Sequence, residues 1–281
     1  MRTLLLLLAL AVPAMAAPVD ELKTHVEYLA DDARDGRWPG SKGIQEAQDY
    51  IRKECKADGL KTYTQEVATR GTDCLNVIAV IPGRTETRIV VGAHLDHMGK
   101  KRGNVYNGAD DNASGSAVIL LMAKNLRDTG CTIEIHWYTG EEEGMTGSKA
   151  YVKRPLVPIK NYKFMLNLDM VGRLKNTGMY GSDFEFESVL DKLYKKYDFA
   201  SKITYTENTN DSDHASWWAV GVTSVILHTG LHSDYHKPTD DSNKINYKGM
   251  VKVYKYAMDL VQGVDQTLSP SKPVDVSYIL R

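Results

Sequence analysis

Short apolar runs alternate with helix-period segments along most of this chain, and each central run ends in acidic residues or histidine. The periodicity predicts helices over residues 19–32, 43–57, 113–127, 184–197 and 247–262. Runs over 61–68, 75–82, 88–93, 132–138, 163–168, 202–206 and 223–228 predict strands. Strands alternating with helices bury their apolar surface best as an α/β domain, with a mixed, mostly parallel central sheet flanked by helices. In such sheets ligands bind beyond the carboxyl ends of the strands, so the residues after each run carry the functional information.

Those residues are unusually uniform. RIVVGA is followed by His94 and Asp96, and the loop GADDNASG then delivers Asp110 and Asp111 ahead of an apolar helix. IEIHWYTG is followed by Glu141, Glu142 and Glu143; KFMLNL by Asp169; SVILHTG by a loop carrying His236 and Asp240. Clustered carboxylates repel one another, and burying them unpaired is costly. A bound cation removes that repulsion because its charge dominates the local field. Imidazoles and carboxylates without thiolates suit zinc or a similar divalent ion. A pair of ions about 3.5–4 Å apart requires a bridging carboxylate plus a histidine and a carboxylate for each ion. The inventory assigns His94 and Asp169 to one ion, Glu142 and His236 to the other, and Asp110 to the bridge, for two Zn2+ per chain. Glu141 is then free to act as general base, and Glu143 lies toward solvent. Asp96 is placed to orient His94 through its second ring nitrogen, and Asp240 to steady the second site. His97 either contacts a site residue or is an ordinary loop histidine. Asp213 and His214 either line the site or begin a helix; Trp217 and Trp218 either line a pocket or belong to the core, as Phe184, Phe186 and Leu190 do.

The remaining composition limits the alternatives. The 281 residues carry 35 Lys+Arg against 36 Asp+Glu, so no charge surplus points to nucleic acid or an anionic membrane. The start, MRTLLLLLALAVPAMAAPVD, reads as a secretory signal peptide cut after Ala16, its apolar run being about half the ~20 residues a spanning helix needs. Residues 17–281 then form a single domain, exported to the periplasm or secreted. Cys55, Cys74 and Cys131 contain no CxxC spacing; they read as buried apolar residues or as a Cys55–Cys74 pair.

GAHLD, GADDNASG, EEEGMTGS, NLDM and HKPTD, in this order, resemble the M28 family of co-catalytic zinc metallopeptidases, and LADDARDGRWPGSKG resembles the opening of that family. The resemblance spans roughly residues 20–265 and implies a three-layer α/β/α zinc-exopeptidase fold. It implies the same ligand set as the inventory above, with Glu141 as general base and Asp96 behind His94. It further implies a cis peptide between Asp110 and Asp111, and an oxyanion contact from Tyr235. The interval from 75 to 94 leaves no room for the protease-associated domain that many relatives insert. The implied activity is that of an aminopeptidase acting on peptides. Glutaminyl-peptide cyclases share the fold with one zinc and a tryptophan where this chain has Tyr235. A carboxypeptidase or a non-catalytic binding module are further alternatives.

Overall fold

The computed structural model describes residues 18–69, 73–174, 178–182, 186–197 and 211–269. The expected signal peptide, the expected strand 202–206 and Phe184 lie outside the described residues. In chain order the elements are α1 (Pro18–Leu29), α2 (Lys42–Ala57), β1 (Lys61–Ala68), β2 (Asp73–Ile81) and β3 (Thr85–His94), then a small ladder of β4 (Lys100–Lys101) and β5 (Asn104–Val105). There follow α3 (Gly115–Asn125), β6 (Cys131–Tyr138), α4 (Thr146–Lys153), β7 (Tyr162–Leu168), β8 (Gly178–Ser182), α5 (Glu187–Lys196), α6 (His214–Trp218), β9 (Thr223–His228) and α7 (Tyr247–Leu268).

The sheet has the order β1-β2-β6-β3-β7-β9-β8. Its four central strands, β6, β3, β7 and β9, run parallel, while β1, β2 and β8 complete it in antiparallel fashion. Parallel pairing places the ends of β3, β6, β7 and β9 on one rim, and every loop carrying the predicted acids and histidines leaves from that rim.

Alternation along the strands decides which helices cover which face. Ile133, Ile135 and Trp137 of β6, Ile89 and Val91 of β3, and Leu166 of β7 meet the helical layer that includes α1, α2, α3 and α7. Each such side chain contributes about 1.5–3 kcal/mol on leaving water. Val90, Tyr138 and Met165 face the other way, onto Tyr151 of α4 and Trp217 of α6. The result is helix, sheet, helix. On the second face the alternate residues of β6 are polar: Glu134 accepts from Arg88, His136 lies 2.9 Å from Glu134, and Tyr151 donates to Glu134. That network satisfies a carboxylate that would otherwise be buried alone.

Helix limits follow local chemistry. Ser41 caps α2 by accepting from the Ile44 N–H, and Ile44, Ala47, Ile51 and Cys55 form its buried stripe. Asn246 caps α7 in the same way, through the Gly249 N–H. The three cysteines are buried and unbonded, which settles the alternatives in favour of apolar packing. Phe186 and Leu190 are core residues.

Candidate metal centre

β3 ends at His94, whose ring is almost fully buried. Its Nδ1 lies 3.1 Å from the backbone carbonyl of Asp96. A carbonyl only accepts, so Nδ1 carries a proton and Nε2 is the ring nitrogen left to face a ligand. That Nε2 stands 3.2 Å from Asp111 Oδ1 and 3.4 Å from Asp169 Oδ1. Asp169 follows β7 directly, and its other oxygen accepts from Ser212 Oγ at 2.7 Å. Asn167 in turn donates to Ser212 Oγ, which turns the Ser212 hydroxyl proton toward Asp169.

The second half forms where the loop after β6 meets the loop after β9. His236 Nε2 lies 3.1 Å from Asp111 Oδ2 and 3.4 Å from Glu142 Oε2. Asp111 therefore faces His94 with one oxygen and His236 with the other. Donors bound tetrahedrally to one zinc ion at about 2.0–2.1 Å stand about 3.3 Å from one another. The separations of 3.1–3.4 Å in both halves fit that edge. The donor set, imidazole and carboxylate throughout, suits the same ion.

This corrects the expected bridge. Asp110 is held away from both histidines by its own partners. Its Oδ1 accepts from the Gly172 N–H at 2.6 Å and from Ser114 Oγ at 3.2 Å, and its Oδ2 lies 3.1 Å from His232 Nε2. The loop is fixed from outside by Asp240, whose Oδ2 accepts from the N–H groups of both Asp110 and Asp111. Backbone anchored in this way turns two successive side chains in different directions. The cis peptide is likewise one residue further on, at Asp111–Asn112.

Asp96 also departs from expectation. Its carbonyl, rather than its carboxylate, contacts His94; Oδ1 is 3.9 Å from that ring. The carboxylate instead accepts the N–H groups of Glu141 and Glu142. It thus ties the loop after β6 to the end of β3. His97 is no ordinary loop residue. It is fully buried, and its Nδ1 lies 2.8 Å from Glu142 Oε1.

Arg37, buried completely, locks the surrounding loops. Its guanidinium donates to the carbonyls of Leu95, Leu29, Asn107 and Gly108. Arg173 pairs with Asp240 at 2.9 Å. Neither arginine carries a ligand-like sequence pattern, whereas His232 stands in an HxxxH spacing with His236 that marks it in sequence.

The histidines hold two of the acids as anions. Burial would raise Asp111, yet His97, His236 and His94 hold it well below the carboxylate range. Burial would also raise Glu142, and His236 and His97 hold it down at about 2. His236 rises to about 10 through its contacts with Asp111 and Glu142. Glu141 behaves differently: burial, with Asp169, Asp213 and Asp96 nearby, pushes it well above its usual value against the pull of His94. One glutamate of the pair is thus a stable anion and its neighbour holds a proton readily.

The centre opens into a cleft of about 460 Å³ with Glu141, Met145, Ile226, Leu231 and Tyr235 among its walls. The Tyr235 ring stacks on His236 at 3.8 Å, and burial raises its hydroxyl above the usual range, so the proton stays on. Trp217 is core and Trp218 is on the surface; neither lines the cleft. Asp213 begins α6 without capping it through its side chain, and is buried.

The family model for peptidase family M28 matches residues 76–261. A probable leucine aminopeptidase of Arthroderma otae is 28% identical over 262 residues, covering 85% of this chain and 69% of that protein. The chain spans 51% to 69% of the length of the first curated relatives it matches. Among solved structures, the LapA aminopeptidase of Legionella pneumophila superposes with a TM-score of 0.75 at 19% identity, covering 90% of this chain and 72% of that one. The glutaminyl cyclase of Fimbriiglobus ruber gives 0.75 at 18%, covering 87% and 95%.

Proposed function

Since the chain belongs to peptidase family M28, we propose that it is a zinc-dependent aminopeptidase that hydrolyses the peptide bond next to a free amino terminus. The observation that carries this reading is the position of Asp111, with one oxygen toward His94 and the other toward His236. On this reading His94 and Asp169 would hold one zinc ion and His236 and Glu142 a second, with Asp111 offering an oxygen to each. Bound zinc polarises a carbonyl and lowers the pKa of water.

The chain's own groups supply the rest. Glu141 Oε takes a proton from the attacking water and returns it to the departing amine, a role suited to a carboxyl raised by burial. The Tyr235 hydroxyl, which keeps its proton, donates to the oxygen that gains charge in the transition state. Met145, Ile226 and Leu231 offer an apolar wall for the first side chain of the substrate. Curated relatives carry the name leucine aminopeptidase, which agrees with that wall. The signal-like start, with one arginine before an apolar run, supports export to the periplasm or beyond. Among the described residues no helix is long and apolar enough to cross a membrane.

The test is a panel of aminoacyl chromogenic substrates, assayed with a chelator and again after zinc is restored. Turnover of apolar aminoacyl substrates that stops with chelator and returns with zinc is expected. Chelator-resistant turnover overturns the reading. Because a glutaminyl cyclase shares the fold, an amino-terminal glutaminyl peptide belongs in the panel; cyclisation without hydrolysis would reassign the reaction.

A further inference from the structure

His97 has no place in the ligand set above, yet it sits against it. The ring is fully buried, between β3 and the GADDN loop. Its Nδ1 approaches Glu142 Oε1 at 2.8 Å and Asp111 Oδ2 at 3.7 Å. Its plane meets that of His236 edge to face, 5.8 Å between centroids. Its position is enforced: Gly108 adopts a left-handed φ of +55°, and a side chain there would collide with the His97 ring and the Asp111 carbonyl. The His97 N–H is also directed at the carbonyl of Arg37, the residue that locks these loops.

The distances separate two roles for this ring. Donors on one zinc ion stand about 3.3 Å apart, as the pairs around His94 and His236 do. The His97–Glu142 separation is shorter and has the length of a charge-assisted N–H···O contact, while among the described residues both atoms lack an in-line hydrogen-bond partner and so are each other's nearest polar group of opposite sign. The two oxygens of Glu142 are also divided between two histidines, Oε1 facing His97 and Oε2 facing His236. We propose that His97 is a positioning residue: its Nδ1–H holds Glu142 Oε1 from behind, so that Oε2 alone is presented to the second zinc ion. The inference rests on the paired-zinc reading and deepens it, because it makes the affinity of one half of the centre depend on a residue that binds no metal.

The experiment is zinc titration of the metal-stripped protein against a chromophoric chelator, for the parent and for His97→Asn, His97→Gln and His97→Leu, with thermal unfolding to confirm that each folds. Asparagine keeps an N–H near the Nδ1 position, glutamine places one near Nε2, and leucine has none. In the Leu variant the weaker of two zinc affinities is expected to fall about 10- to 100-fold while the tighter one holds, as for other groups that orient a ligand from behind. The Asn variant is expected to stay close to the parent, and Gln to resemble Leu. Should Leu not fold, the contrast between Asn and Gln carries the test. A packing role would instead spare Leu and penalise Asn, which overturns the proposal. Loss of one ion altogether in both Asn and Leu would make His97 a ligand, which also overturns it. Unchanged binding in Leu or Gln would remove the role outright. A parent that binds fewer than two ions refutes the paired-zinc reading itself, a result distinct from any behaviour of the variants.

Discussion

Asp110 and Asp111 share a peptide bond and face in different directions. Asp111 spans His94 and His236, while Asp110 accepts from Gly172 and Ser114 and contacts His232. Their conservative variants should therefore part company. Asp111→Asn is expected to lose zinc from both halves. Asp110→Asn is expected to keep zinc, and to lose about 1–3 kcal/mol of stability because buried donors lose a charged acceptor. Metal analysis and urea unfolding of the two proteins check this. Glu141→Gln is expected to retain the full zinc content while kcat drops about 10²- to 10⁴-fold, the scale of a lost general acid/base. Retained turnover in that variant removes Glu141 from the proton path. Most of the residues gathered at the centre are legible from their place after apolar runs. The choice between adjacent aspartates was not, because it depends on Asp240 anchoring two N–H groups from 129 and 130 residues away. The burial of His97 is hidden for a similar reason: burial of a loop residue depends on what packs over it, and here that includes Arg37, sixty residues earlier, and Gly108.

At the scale of elements, the loops around the centre depend on α1, the turn after it and β3 being tied together. Arg37 does this through four carbonyls. Arg37→Met removes the donor from the carbonyls of Leu95, Leu29 and Asn107, Gly108 keeping the Ala113 N–H, and is expected to cost about 3–5 kcal/mol in denaturant unfolding, the range for breaking a buried charged contact. A second element-level device joins α1 to α2. His25 Nδ1 lies 2.6 Å from Tyr50 Oη, and Tyr28 stacks on Tyr50. Burial lowers His25 from 6.5 to about 4, with Glu21 opposing and Lys124 assisting. A histidine depressed in the folded state is protonated first in the unfolded state as pH falls. Its contribution is thus complete above about pH 6.5 and is lost progressively down to about pH 4, up to about 3 kcal/mol. Replacing His25 by Gln is expected to flatten that part of the stability curve, measured by urea midpoints across this range. An unchanged slope would assign the acid sensitivity to other groups.

On the scale of the whole molecule, the order of strands and helices was readable because periodicity and burial agree over long segments such as α2, β6 and α7. Short elements were not. α4 and α6 carry too few turns to show a clear stripe, and β8 is a five-residue edge strand. The polar side of β6 was also hidden: Glu134 and His136 look misplaced in a core strand until Arg88, Tyr151 and Tyr162 gather around them. What organises the molecule is the parallel core of the sheet, which brings four strand ends to one rim. The most direct measurement of the account is a zinc-loaded crystal structure with anomalous scattering recorded at the zinc edge. Two peaks are expected, one among His94, Asp169 and Asp111 Oδ1, the other among His236, Glu142 and Asp111 Oδ2. A single peak, or two peaks joined through Asp110, would contradict it.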